Sequence, residues 1–429
     1  MATLRAATLL LAALALAPSA AAEIRIEITG GAEAALPVAV VPFEGSESPR
    51  VPVDVAAIVQ ADLQRSGMFD PVERADFLTR PGRFEQVRFQ NWRALGVDNL
   101  VVGTIAPGPR GFEVRFELLD VYRGSRLVGK RYQVGAGALR TLAHTVANEV
   151  FQAIIGRPGG FNTRIAYVGV EGAGDDRRYR LVVADADGFS PQTVLTSAAP
   201  LLSPAWSPDG RRLAYVSFES RRSEVYVQEV ASGKRRKVAS FKGINGAPAW
   251  SPDGRRLALA LSKDGNPEIY LLEAESGALR RLTNHWAIDT EPVWTPDGKA
   301  LLFTSDRGGA PQIYRLPVSV AGEPKRVTFE GGYNASPDLS PDGRLLTMVH
   351  RTEGRYTIAV MDLESGLVRS LTDGPLDESP TFSPNGAMIL YSSSAGGQTL
   401  ATVSVHGRAR QPLQSVGDEV REPAWSPGR

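Results

Sequence analysis

Four aspartates recur at nearly equal intervals in the second half of the chain. Each follows Ser-Pro or Thr-Pro and precedes glycine, and they are Asp209, Asp253, Asp297 and Asp342. A carboxylate in such a position could act as a general acid or base, or could help to bind a cation. Because the four turns are equivalent copies, all four would then have to be active sites, which argues against a catalytic role. Because Asp bonds to local backbone and Gly accepts a positive φ, we interpret these residues as turn formers.

The four histidines of the chain offer little further chemistry. They are His144, His285, His350 and His406, and no two of them stand at a spacing that is typical of a metal site. The chain also lacks the Gly-x-Ser-x-Gly motif of α/β-hydrolases and the glycine-rich loop of P-loop proteins. It contains no cysteine, which excludes disulfides and thiolate ligands. We therefore expect no catalytic residue, no metal and no cofactor.

The Ser-Pro-Asp-Gly turns belong to a longer repeat that begins with an aromatic residue or leucine. Its six copies begin at Trp206, Trp250, Trp294, Leu339, Phe382 and Trp425, so the period is 43 to 45 residues. Strand-like sequence separates the copies, and a period of this length with four strands per copy is typical of β-propeller blades. We expect the large first residue to pack between blades. The proline two residues before it should open the first strand of each blade, because proline lacks a backbone donor.

The two ends of the repeat region complete one another. Residues 164–195 contain three strand patterns without a first strand, and residues 422–425 are a first strand with no blade after it. Together they make a sixth blade, so the sequence predicts a closed ring in which the C-terminal strand joins the first blade. Closure of this kind protects the edges that an open sheet would expose.

The region before the repeats predicts a small α/β domain. Residues 36–41 read as a buried strand, residues 54–65 as a helix capped by Asp54, and residues 139–154 as a second amphipathic helix. Residues 112–118 and 130–134 alternate as the two strands of a hairpin. We divide the chain into a signal peptide (1–22), an α/β domain (23–158) and a six-bladed β-propeller (159–429).

The first 22 residues have the features of a cleavable leader. Arg5 precedes a short apolar run, and Ala20–Ala22 offers a small-residue cleavage site before Glu23. The apolar run is too short to span a membrane, and we expect no span elsewhere. The 48 basic and 47 acidic residues nearly cancel, which gives no reason to expect a nucleic-acid partner.

The residues just before each motif proline should rim the channel of the ring. They differ between copies while the scaffold around them repeats, as expected where a surface recognises a partner. Acidic side chains are frequent among them, so we expect a mouth of negative potential that binds a protein or peptide. The candidate rim residues include Asp289, Glu291, Asn334, Asp377 and Glu378. A solvated loop face, a hydrolase or lyase with acidic residues in the channel, and a sugar-binding surface near Trp286 and Tyr333 are the alternatives.

The leader, the α/β domain and the Trp-Ser-Pro-Asp-Gly repeats together resemble the TolB family of periplasmic propeller proteins in the Tol–Pal cell-envelope system. The similarity covers the whole chain and is clearest in residues 245–254, 290–294 and 422–427. The resemblance implies a periplasmic protein without enzymatic activity. It also implies that the propeller mouth binds Pal, the peptidoglycan-associated lipoprotein, through loops that include Asn245, Ala247 and Thr290. Family members often have His beside that Asn, where this chain has Ile244.

The start of the mature chain is the second site that the resemblance implies. In the family this strand contacts TolA, an inner-membrane-anchored protein, and the corresponding residues are Glu23, Ile24, Arg25 and Ile26. Their alternation of apolar and polar side chains suits pairing with an exposed strand edge. Pairing within the chain's own domain is the alternative. The resemblance further implies a role in outer-membrane integrity and cell division, and we expect a monomer.

Overall fold

A computed structural model describes residues 35–319, 322–395 and 397–428. The predicted leader and the segment Glu23–Ile26 lie outside the described residues. None of the described helices is both long and apolar enough to cross a membrane.

A five-stranded sheet organises the N-terminal α/β part, with the strand order β2-β1-β3-β4-β5. β1 runs parallel to β2 and β3, whereas β3, β4 and β5 are antiparallel neighbours. The elements are β1 (Leu36–Val40), α1 (Val55–Arg65), β2 (Phe69–Pro71), α2 (Phe89–Ala94), β3 (Asn99–Gly108), β4 (Gly111–Asp120), β5 (Ser125–Val134) and α3 (Leu139–Ile155). The predicted strands and helices are confirmed.

Helix α1 shows how local sequence sets these boundaries. The side chain of Asp54 accepts a hydrogen bond from the backbone N–H of Ala57 at 2.9 Å, as an N-cap should. Val55, Val59 and Leu63 form the buried face of this helix. They join the same core as the buried residues of β4 and α3, so both helices cover one face of the sheet.

Six four-stranded sheets follow and close into a ring, which confirms the predicted propeller. Blade 1 contains β6 (Arg164–Glu171), β7 (Arg178–Asp185) and β8 (Gln192–Ser197), and blade 2 contains β9 (Leu201–Trp206), β10 (Arg212–Ser217), β11 (Glu224–Glu229) and β12 (Arg235–Ala239). Blade 3 contains β13 (Asn245–Trp250), β14 (Arg256–Leu261), β15 (Glu268–Glu273) and β16 (Leu279–Arg281), and blade 4 contains β17 (Asp289–Trp294), β18 (Ala300–Ser305), β19 (Gln312–Pro317) and β20 (Lys325–Arg326). Blade 5 contains β21 (Asn334–Leu339), β22 (Leu345–Thr352), β23 (Arg355–Asp362) and β24 (Val368–Ser370), and blade 6 contains β25 (Asp377–Phe382), β26 (Met388–Ser393), β27 (Thr399–Ser404) and β28 (Arg410–Pro412). The last strand, β29 (Glu419–Trp425), pairs with β6 and completes blade 1 as predicted.

The large first residue of each repeat packs between blades, as expected. All six of these side chains are buried. The indole N–H of Trp206 donates to the carbonyl of Ala424 in the preceding blade at 3.2 Å, and that of Trp294 donates to the carbonyl of Ala249 at 3.1 Å. Each repeat therefore contributes apolar contact area between blades, and Trp206 and Trp294 add a hydrogen bond to the preceding blade.

The repeated aspartates form turns, which confirms their interpretation. Asp209 accepts a hydrogen bond from the hydroxyl of Ser207 and another from the backbone N–H of Arg211. Gly210 closes the turn with a φ of 64°. The same pair of bonds recurs around Asp253, Asp297 and Asp342.

The prediction that proline opens each inner strand was wrong. Strand β13 begins at Asn245, so Pro248 is its fourth residue, and the pairing with β14 shifts between Gly246 and Ala249. A β-bulge leaves a residue out of the ladder, so a residue without an N–H is tolerated there. The residue before each of the six prolines has a φ between 46° and 53°; these residues are Ser203, Ala247, Glu291, Ser336, Ser379 and Glu422.

Candidate functional site

The six bulges surround a cavity of about 860 Å³ at one end of the channel. Its wall consists of the six motif prolines, the six residues with positive φ and side chains such as Tyr333, Tyr356 and Arg421. We call this cavity and its rim the mouth. The bulge repeats in every blade, so the backbone that bears these side chains is alike around the ring, whereas the side chains differ.

Two glutamates fix neighbouring blades to one another across the mouth. Glu422 in β29 accepts hydrogen bonds from the backbone N–H and the hydroxyl of Ser203 in β9. Glu291 in β17 accepts bonds from the N–H and the hydroxyl of Ser336 in β21, each at 2.8 Å, and from Thr304 at 2.7 Å. Burial raises the pKa of Glu422, although its bonds to Ser203 act in the opposite direction.

The mouth has more acidic than basic side chains in its wall. Glu291, Glu378 and Glu422 line the cavity, and Arg421 is the basic residue among the lining residues. Arg421 also donates to Glu419 at 2.5 Å, so part of its charge is already compensated. This arrangement agrees with the expected negative potential.

The eight rim residues selected from the sequence divide into two groups. Ala247, Thr290, Glu291 and Glu378 line the mouth. Asn245, Asp289, Asn334 and Asp377 are each the first residue of an inner strand, and their exposed fraction is 1% or less. The second group therefore lies behind the wall of the mouth and contributes through the loops that it holds.

Asn245 and Asp289 show how the buried group holds those loops. Asn245 accepts a hydrogen bond from the N–H of Phe241 and donates to the carbonyl of the same residue, both at 2.8 Å. Both carboxylate oxygens of Asp289 accept bonds from Arg307, at 2.7 and 2.9 Å. Burial raises the pKa of Asp289, and the bonds from Arg307 oppose that rise.

Asn334 and Asp377 are also held by hydrogen bonds in the next two blades, although their partners differ. Asn334 donates to Gln312 at 2.9 Å and contacts Nδ1 of His350 at 2.8 Å. Asp377 accepts a bond from the hydroxyl of Ser393 at 2.6 Å. The sequence signal for this role is an Asn or Asp three residues before the motif proline.

An arc of exposed apolar side chains lies on the rim, and of its residues Trp286 alone was singled out from the sequence as part of a binding surface, the alternative sugar-binding one. Ile244, Trp286, Ile288 and Phe329 lie in the loops that enter blades 3, 4 and 5, and Trp286 and Phe329 are each 74% exposed. Apolar residues in the last positions before an inner strand would have been the signal. The mouth thus combines fixed carboxylates, hydroxyls and an apolar edge, which suits the binding of a polypeptide segment.

Comparison with known protein families and structures supports one assignment. A family model described as the TolB beta propeller domain matches residues 151–429, and one described as the TolB amino-terminal domain matches residues 24–127. The "Tol-Pal system protein TolB" of Alkalilimnicola ehrlichii is 58% identical over 402 residues, which cover 93% of this chain and 94% of that protein. The protein of the same name from Nitrosococcus oceani is 57% identical over 413 residues, which cover 96% and 95% of the two chains.

The fold has a solved counterpart. The crystal structure of TolB from Acinetobacter baumannii superposes with a TM-score of 0.85 at 43% sequence identity, over 92% of this chain and 97% of that chain. The relatives carry the name of a non-enzymatic family of envelope proteins.

Proposed function

Because the chain belongs to the TolB family and is a component of the Tol-Pal system, we propose that it acts in the periplasm as an adaptor that binds Pal at the mouth of its propeller. Its N-terminal segment, Glu23–Ile26 with the residues that follow, contacts TolA. Through these two contacts the protein supports outer-membrane integrity and cell division.

The observation that carries the Pal assignment is the contrast between a repeated scaffold and a varied mouth. All six inner strands share the bulge, the proline and the large packing residue. The residues on the inner surface of the mouth range from Ala247 to Glu291, and an apolar arc lies on one side of the rim. A scaffold needs sameness, whereas recognition needs difference.

Charge substitution at the mouth tests this proposal. Ala247→Arg and Thr290→Arg each place a long cationic side chain in the cavity, and we expect each to weaken Pal binding at least tenfold in isothermal titration calorimetry, which corresponds to about 1.4 kcal/mol. Ala231→Arg is the matched control, because Ala231 is exposed in the turn between β11 and β12 at the opposite end of the strands. Thermal melting of all three variants excludes unfolding as the cause. If both mouth variants bind Pal like the parent chain, the site assignment is refuted.

Deletion of residues 23–31 tests the TolA contact. We expect the deleted chain to keep its melting temperature and its affinity for Pal while its binding to TolA is lost. A melting temperature that falls steeply on deletion would instead mean that the segment is a structural strand.

Mass spectrometry of the exported protein should find Glu23 at its amino terminus, and retention of residues 1–22 would contradict the predicted leader.

A further inference from the structure

Helices α1 and α3 share a buried pair of ionisable side chains. Nδ1 of His144 in α3 lies 2.6 Å from Oδ2 of Asp62 in α1. The two side chains are among the least exposed polar groups of the α/β part. Asp62 also accepts a hydrogen bond from Arg65, one turn further along α1.

The turn between β7 and β8 of blade 1 brings two more carboxylates to this pair. Arg140 in α3 donates to Asp187, lies 3.7 Å from Asp185 and stacks over the ring of Phe189 at 3.8 Å. Nε2 of His144 has no hydrogen-bond partner among the described residues and lies 3.8 Å from Oδ2 of Asp187. The cluster therefore spans two parts of the fold, with its helical half on α1 and α3 and its other half on blade 1.

These residues lie in the interface where the α/β part docks on the ring. Gly67, just after α1, approaches Ser404 so closely that a Cβ on the glycine would lie 2.5 Å from the Ser404 side chain. Gly160, in the segment that leads from α3 to β6, packs against Asn385 in the Ser-Pro-Asn-Gly turn of blade 6. Both contacts are at the end of the strands opposite the mouth, so the cluster is separate from the proposed Pal site.

With its three carboxylates ionised, the cluster is electrically balanced when His144 is protonated, although burial and the charge of Asp187 raise the pKa of Asp185. The groups that face His144 from α1, α3 and the β7–β8 turn are three carboxylates (Asp62, Asp185 and Asp187) and two guanidinium groups (Arg65 and Arg140). A neutral imidazole leaves one negative charge without a counterpart, and a proton on Nε2 cancels it. A divalent cation would leave an excess positive charge and compete with Arg140 for Asp187, so a proton fits the site better.

The electrostatics of the cluster agree with this count. Burial lowers the pKa of His144, but the hydrogen bond that His144 donates to Asp62 and the charges of Asp62 and Asp187 raise it, and the net shift is upward from 6.5. Burial raises the pKa of Asp187, while the charges of Arg65, His144 and Arg140 lower it below its usual value.

We propose that the proton on Nε2 of His144 latches the α/β part onto blade 1, and that loss of this proton loosens the docking. Its stabilising contribution is fully present below the pKa that His144 has in the undocked state, and disappears as the pH rises through the higher pKa of the docked state. The ratio of docked to undocked molecules changes roughly tenfold for each unit by which docking raises this pKa.

Histidine NMR on the intact chain tests the protonation state directly. The chain has four histidines, so selective ¹⁵N-histidine labelling gives few signals. We expect one imidazole to titrate with a midpoint above 6.5, and that signal should be missing in His144→Gln. A neutral His144 at pH 6 would overturn the proposal, and this measurement on the parent chain stands even if the variant does not fold.

Distance measurement between two spin labels tests the mechanical consequence. The chain has no cysteine, so Arg110→Cys in the β3–β4 turn and Ala231→Cys on blade 2 give unique labels at exposed sites. We expect a narrow distance distribution at pH 6 that broadens at pH 9, and no such change with His144→Gln. His406→Gln is the matched control, because His406 is exposed in the β27–β28 turn, and it should behave like the parent. A distribution that does not change with pH in the parent, or that still broadens in His144→Gln, would refute the latch.

Discussion

Substitution of one strained residue in the mouth should stabilise the protein. Ala247 precedes the motif proline of blade 3 and has a φ of 46°, in the left-handed region. An L-residue in this conformation costs roughly 1–2 kcal/mol, whereas glycine adopts it without that cost. Glycine also lowers the free energy of unfolding by about 0.5–1 kcal/mol, because it has more conformational freedom in the unfolded chain. We therefore expect Ala247→Gly to raise the free energy of unfolding by about 0.5–1 kcal/mol.

Ala249→Gly is the matched control in the same strand. Ala249 pairs with Ala258 in the ladder and has no positive φ, so glycine there loses freedom without relieving strain. This variant should be destabilised by about 0.5–1 kcal/mol. Differential scanning calorimetry of parent and variants should therefore show melting temperatures that move in opposite directions. If Ala247→Gly melts below the parent, or if both variants shift alike, the bulge does not store the strain that we infer.

Two further pairs of substitutions test how the ring and the rim are held. Trp294→Ala should lower the free energy of unfolding by about 3–5 kcal/mol, because the indole is buried between blades. Trp286→Ala on the exposed rim should change it by less than about 0.5 kcal/mol, and equal effects of the two in denaturant titration would contradict the packing role. Asp289→Ala leaves Arg307 without its buried carboxylate, and we expect a cost of about 3–5 kcal/mol that a second substitution, Arg307→Ala, partly recovers. Additive losses in this double-mutant cycle, measured by the same titration, would show that the two side chains do not act as a pair.

Local patterns carried most of the fold prediction. The bonds between Ser207, Asp209 and the following backbone lie within five residues, so the turn can be inferred from four letters of sequence. The cap of α1 at Asp54 and the alternation of β4 are equally local. Pairing of β29 with β6 spans the whole propeller, yet it followed from counting, because an incomplete blade at each end has one way to become complete.

The mouth was predicted less completely than the fold, because the position of a residue in the repeat does not determine which way its side chain points. The rule that selected Thr290 and Glu291 also selected Asp289, which the strand places on the buried side, against Arg307. The bulge before Pro248 changes the alternation at this point, and its left-handed residue has no mark in the sequence other than the proline that follows.

The sequence by itself determined the period, the number of blades, the closure of the ring and the family, because each depends on order along the chain. Only the tertiary structure decided which rim residues reach the mouth, and only it brought His144 to Asp62, 82 residues away, and to Asp187 on another part of the fold. Those contacts depend on how separate elements pack in space. Burial and charge at such a meeting point are properties of the assembled elements, and no single segment of the chain encodes them.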